Sequence, residues 1–177
     1  MTPTLQTLYD KIENQRKDIL GILNHLTSEQ LRQRPMPGKW SLAEIVSHII
    51  TAERMSVQYI LKKVQGIQAA ANSGLWAEVK INLLKVSQRL PGLKFRAPRH
   101  VVENTVTYKD LDQITREWER VRQDLQSLLE KIPDPLVNRM IYRHPFAGYL
   151  NIKQALIFFH EHIVHHTPQI KRLVKPK

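Results

Sequence analysis

The sequence predicts an all-α protein, a four-helix bundle forming a single domain over residues 1–177. Three observations predict it: apolar residues recur at spacings of three and four along long stretches, helix start and stop signals bound those stretches, and strand-like alternation is scarce. A chain of 177 residues with no compositional break is long enough for one core without disulfides.

Leu5, Leu8, Ile12, Ile19, Leu23 and Leu26 mark a first helix from about residue 4 to 26. Thr27 or Ser28 caps a short turn through Leu31, and Pro35-Met36-Pro37-Gly38 then forces a non-helical connection. Ser41-Leu42-Ala43-Glu44 reads as a capping box, so a second long helix begins at Ser41 and runs to Gln65 or Ala70, where Gly66 and Asn72-Ser73-Gly74 weaken the pattern. Leu75, Val79, Leu83, Val86 and Leu90 trace a further helix that Pro91-Gly92 ends. From Leu93 to Thr107 no period is visible, and Pro98 argues for an extended loop. Tyr108 to Ile132 is helical again, with Leu111, Ile114, Trp118, Val121, Leu125, Leu128 and Leu129 on its stripe, and Pro133 and Pro135 stop it. A loop from His144 to Leu150 leads to the last helix, where Asn151 and Gln154 suit a second capping box. Pro168 lacks an amide hydrogen and frees the Val164 carbonyl, so a kink or early fraying is expected there.

Cysteine is absent, which removes disulfides, thiolate metal sites and a cysteine nucleophile and suits a reducing cytoplasm. The formal charge of +11 is uneven: residues 51–100 carry nine basic and two acidic side chains, whereas residues 101–150 carry seven and eight. No tight Lys/Arg cluster with interleaved aromatics accompanies the charge, so a nucleic-acid partner is not expected. The N-terminus shows no basic leader followed by an apolar stretch, and the longest purely apolar run, Ala155 to Phe159, is far short of the ~20 residues that cross a bilayer. A cytoplasmic protein with no membrane partner is expected.

Cysteine's absence leaves nitrogen and oxygen ligands for any metal. On a helix, His162 and His166 stack one turn apart, and with His162 at zero Phe158 falls near −40°, Gln169 near −20° and His166 near +40°, so both histidines face inward. His48 shares a stripe with Ile45, Ala52, Met55 and Tyr59 on the second long helix. A bundle can bring these two helices together and set three neutral imidazoles around one divalent ion. Such histidines can instead be hydrogen-bonded core residues, but three unpartnered buried rings would cost several kcal/mol, at roughly 1–3 kcal/mol each. His160 should point outward, and His165 should be peripheral.

Two segments resemble the DinB/YfiT-like family, helical-bundle proteins named for a DNA-damage-inducible member. The first runs from Leu26-Thr27-Ser28-Glu29-Gln30-Leu31 through Arg34-Pro35-Met36-Pro37-Gly38-Lys39-Trp40-Ser41 to His48. The second runs from His144-Pro145-Phe146-Ala147-Gly148 through His160-Glu161-His162-Ile163-Val164-His165-His166 to Ile170. The resemblance implies an up-down-down-up four-helix bundle, a homodimer, and nickel or zinc held by His48, His162 and His166 in an accessible pocket. It also brings thiol-dependent transferases into view.

The expected function is a divalent-metal-dependent enzyme that transfers a low-molecular-weight thiol to an electrophilic substrate, or carries out a related hydrolysis. General acid–base candidates are Glu53, Tyr59 and Glu161, but Glu53 lies about 140° from His48 and reads more readily as a surface salt bridge. Trp40 and Trp118 should both pack the bundle, with lining of the pocket mouth the lesser alternative for Trp40, which immediately precedes the second helix. The alternative is a non-enzymatic metal-binding stress-response protein, whose mark would be a fourth protein ligand, such as Glu161 or another histidine, closing the site.

Overall fold

In the computed structural model, which describes residues 1–90 and 98–174, four long helices carry the core. The first, α1 (Pro3–Leu23), opens where the Thr2 hydroxyl accepts the Leu5 amide. It ends short of Leu26 because Thr27 and Gln30 form the capping box of a separate short helix, α2 (Ser28–Arg32). Ser41 and Glu44 form the expected capping box of α3 (Leu42–Val64), followed by one 3₁₀ turn at Ile67–Ala69. Next come α4 (Leu75–Arg89), α5 (Arg99–Asn104), α6 (Leu111–Glu130, capped by Asp110) and α7 (Ile152–Val174). The extended loop expected over 93–107 thus contains a helix. Pro98 occupies its N-cap, where a missing amide hydrogen costs nothing, and so opens α5 instead of barring it. Residues 91–97 of that stretch lie outside the described residues.

The loop expected from His144 is also more ordered than its sequence suggested. Strands β1 (Met140–His144) and β2 (Gly148–Asn151) pair as an antiparallel hairpin, with Tyr142 opposite Leu150 and His144 opposite Gly148. Gly148 sits at φ 74°, the left-handed region that a side chain would strain. Strands of five and four residues are too short to establish a period of two, which is why the chain read as irregular here.

The long helices form a ring in which α1 packs on α6 and α7, and α3 packs on the same two, so α1 and α3 lie across the core from each other. Leu5, Ile12, Ile45, Ile49, Leu125, Leu128, Leu156 and Ile163 fill the interior. Glu53 is part of that interior and not a surface partner. Its carboxylate accepts from Trp118 Nε1 at 2.8 Å and from Arg122 Nη2 at 3.0 Å. The 140° offset from His48 turns Glu53 toward α6 instead of solvent. Burial pushes its carboxyl up, opposed by the Arg122 guanidinium.

α7 crosses Pro168 and continues to Val174, so the early fraying did not materialise. Its turn beyond the proline is anchored by fully buried Ile170, and packing there outweighs the lost backbone hydrogen bond. At the other end, the Asn151 and Gln154 side chains each accept the other's backbone amide, at 2.9 and 3.0 Å.

Against α7 packs α4, and it does so with Ala77, Ile81, Leu84 and Gln88. The apolar stripe that identified this helix in the sequence lies on its opposite side. From Leu90 at 48% to Leu75 at 86%, the residues Leu75, Trp76, Val79, Leu83, Val86 and Leu90 are exposed. Among the described residues, no helix is long and apolar enough to cross a membrane.

Candidate metal centre

Helix α3 supplies His48, and one turn of α7 supplies His162 and His166, so the two helices that meet in the core set three imidazoles together. One ring nitrogen from each lies within 4.8 Å of the others. The rings stand nearly perpendicular in pairs, with centroids 5.1 Å apart for His48 and His162, 5.2 Å for His48 and His166, and 4.8 Å for His162 and His166. The Nε2 atoms of His48 and His162 face each other at 3.2 Å. Two nitrogens bound to one zinc-sized ion at about 2.0–2.1 Å sit roughly 3 Å apart, so this pair already has ligand spacing.

Electrostatics favour the same reading. All three rings are buried, and burial lowers the pKa of His48 to about 4, that of His166 to about 3, and that of His162 well below its usual value. Neighbouring imidazoles push the same way. At neutral pH each ring is therefore uncharged and keeps a lone pair for a cation. Buried Nδ1 atoms of His48 and His162 have no hydrogen-bond partner among the described residues, so desolvation of these rings is not offset within the protein. A cation held at the facing Nε2 atoms would offset part of that cost. His166 is oriented by a supporting contact, its Nδ1–H donating to Gln169 Oε1 at 3.2 Å, which leaves Nε2 as the ligating atom.

Neither acidic candidate completes the set as a fourth ligand. Glu161 is buried, but Arg89 of α4 holds both of its oxygens, at 2.6 and 2.8 Å. Glu53 is held by Trp118 and Arg122, as described. Tyr59 does line the cavity beside the histidines, with its ring edge-on to Tyr142 at 6.2 Å. Trp40 lines it too, with its ring 5.2 Å from that of His48. His160 is partly buried and bonded to Gln15 Oε1 at 2.8 Å, and His165 lies at the cavity wall, donating to the Gln88 carbonyl at 2.9 Å.

The cavity beside the three histidines measures about 360 Å³ and is walled mainly by apolar and aromatic groups. Two of its histidines, His100 and His144, were not singled out from the sequence. His144 ends β1, is buried, and packs edge-on against Phe158 with centroids 4.4 Å apart. Its Nδ1 accepts the backbone amides of Phe146 at 3.2 Å and Ala147 at 3.0 Å. An Nδ1 that accepts must carry a lone pair, so the proton of this neutral ring resides on Nε2. Burial lowers its pKa to about 4, which keeps that tautomer in place at neutral pH. The available signal was the spacing from His144 to Gly148, a turn able to fold amides back onto the ring.

The chain and its helical bundle have counterparts among known proteins. The model of the DinB superfamily matches residues 11–170. The chain belongs to the DinB superfamily. The fold is similar to that of the solved structure described as "YfiT from Bacillus subtilis is a probable metal-dependent hydrolase with an unusual four-helix bundle topology". It superposes with a TM-score of 0.58 at 15% identity over 95% of this chain and 84% of that one, a likeness that shows the fold. In sequence, the chain is 26% identical over 151 residues to the uncharacterized protein YuaE of Bacillus subtilis (strain 168), covering 85% of this chain and 87% of that protein.

Proposed function

We propose that the protein is a divalent-metal-dependent enzyme acting on a small, largely apolar electrophile, and that hydrolysis is its reaction. The observation that carries this is the trio of buried, neutral, mutually facing imidazoles opening onto a cavity large enough for a small molecule. The description of YfiT as a probable metal-dependent hydrolase supports the choice of reaction. Nickel and zinc both suit an all-imidazole donor set. The up-down-down-up helix order belongs to the same proposal.

His48, His162 and His166 would hold the ion, and a divalent cation so held supplies Lewis-acid activation of a nucleophile at neutral pH. The chain's own groups do the rest. Gln169 fixes the His166 ring. His144 presents an Nε2–H to the cavity, a neutral donor for an oxygen that gains negative charge in the reaction. Phe158 and Tyr142 form an apolar wall that excludes water around it, and Arg143 stands exposed at the rim, stacked over Tyr149 at 5.6 Å. With Glu161 and Glu53 both tied to arginines, three protein ligands leave room for substrate, which favours chemistry over metal storage.

The test is elemental analysis of untagged protein followed by hydrolysis assays on ester, amide and epoxide panels, with and without chelator. One equivalent of divalent metal per chain, lost in His48→Ala, and hydrolysis that chelator abolishes and metal restores are the expected results. Turnover that requires an added low-molecular-weight thiol would replace hydrolysis with thiol transfer. A metal-free protein, or one whose metal survives His48→Ala, would overturn the ligand set.

A further inference from the structure

Helix α4 turns Ala77, Ile81, Leu84 and Gln88 toward the body. The first three are apolar, and packing alone would ask for a fourth apolar residue at the next position of the stripe. Gln88 stands there instead, only 9% exposed, and with Leu84 it lines the cavity beside the three histidines. Among the described residues, buried side-chain atoms without a hydrogen-bond partner occur on three residues of the cavity wall, His48, His162 and Gln88. The two imidazoles belong to the metal centre. Gln88 Oε1 has no such role, and a buried carbonyl oxygen left without a donor bears the full cost of its lost hydration.

Its position beside the metal centre is fixed by the backbone. His165 Nδ1 donates to the Gln88 main-chain carbonyl at 2.9 Å, and the His165 ring lies 5.0 Å from that of His166, centroid to centroid. At the other end of the α7 pair, Phe158 lies between His144 and His162, with centroid separations of 4.4 and 5.5 Å. The ligand histidines thus have a neutral donor, His144 Nε2–H, beyond one end and a neutral acceptor, Gln88 Oε1, beyond the other. No aspartate or glutamate lines the cavity among the described residues, so the wall suits an uncharged N–H better than an ammonium group.

We propose, resting on the hydrolase reading above, that the substrate is a carboxamide bearing an N–H and that Gln88 determines this specificity. The substrate N–H donates to Gln88 Oε1, and its carbonyl oxygen accepts from His144 Nε2–H. Esters and epoxides offer acceptors only and would leave Gln88 unpaired. In the overall reaction the oxygen of water bonds to the carbonyl carbon as the C–N bond breaks. Both hydrogens of that water end on the departing amine, giving a carboxylate and an alkylammonium.

Binding to chelated, metal-free protein tests the proposal apart from turnover. N-benzylacetamide, benzyl acetate and N-benzyl-N-methylacetamide are closely matched in shape, and only the first carries an N–H. By calorimetry it should bind at least about tenfold more tightly than either of the others. Gln88→Met keeps the length of the side chain without its acceptor and should bring the three to within about twofold. Urea unfolding should show this variant at least as stable as the wild type, since the unpaired oxygen is gone. Equal affinities in the wild type, no detectable binding of the secondary amide, or a preference that Gln88→Met preserves would overturn the proposal. The readout needs neither metal nor turnover, so a protein that keeps this selectivity yet shows no metal-dependent hydrolysis would refute the hydrolase reading alone.

Discussion

Helices α7 and α4 lie against each other and carry apolar residues in comparable density, yet they stand differently in the molecule. α7 is enclosed by α1, α3, α4 and the hairpin, so its side chains are buried on several sides, and its polar residues Gln154, Glu161, His162 and His166 are buried with them. α4 touches the body along one side only. The difference teaches that an apolar period announces a face to be covered without saying what covers it. In α7 the cover is the same chain, whereas the outer face of α4 has no cover among the described residues. Polar residues carry the complementary lesson. A histidine on an enclosed helix needs a partner, and on α7 the proposed function supplies one in a cation.

The largest expected effect falls on α7. Structural zinc binding of about 10–16 kcal/mol shared over three or four ligands gives roughly 3–5 kcal/mol for each. His162→Ala should therefore weaken metal binding by several hundredfold or more, measured by competition with a chromogenic chelator.

Next comes core truncation. Leu156→Ala, in the enclosed face of α7, should cost about 2–5 kcal/mol in urea unfolding. Leu83→Ala, on the outer face of α4, should change monomer stability by no more than about 0.5 kcal/mol. Equal losses would erase the contrast between the two helices.

A third measurement uses pH. The unfolded chain protonates its histidines near ~6.5, but burial holds His48 and His144 at about 4 and His166 at about 3. Between those limits the unfolded state binds more protons, so stability should fall as pH drops from about 6.5, and the contribution of these three rings should level off only below about 3. Urea titrations of chelated protein would show this, with a shallower slope in His144→Gln. The smallest effect belongs to the support of a ligand: Gln169→Ala should lower metal affinity by roughly tenfold while leaving the fold unchanged.

The sequence made the long helices legible because each pairs a sustained period with a cap, as Ser41 with Glu44 and Asn151 with Gln154 show. It also marked His48, His162 and His166, since residues spaced by four on inward stripes must converge if the helices pack. What it hid depended on tertiary partners. Glu53 read as a surface residue because no local pattern reveals Arg122 and Trp118 waiting on α6. Glu161 read as a possible ligand because Arg89 is distant in the chain. His144 was passed over because its partners are backbone amides in a hairpin too short to declare itself.

The seating of His144 has a consequence for how this site tolerates change. Main-chain groups of residues 146 and 147 set the tautomer, so the side chains there can drift without disturbing the proton's location. Proline is the exception, since it alone deletes an amide hydrogen. Variation at these two positions should therefore be wide but proline-free wherever the imidazole is retained.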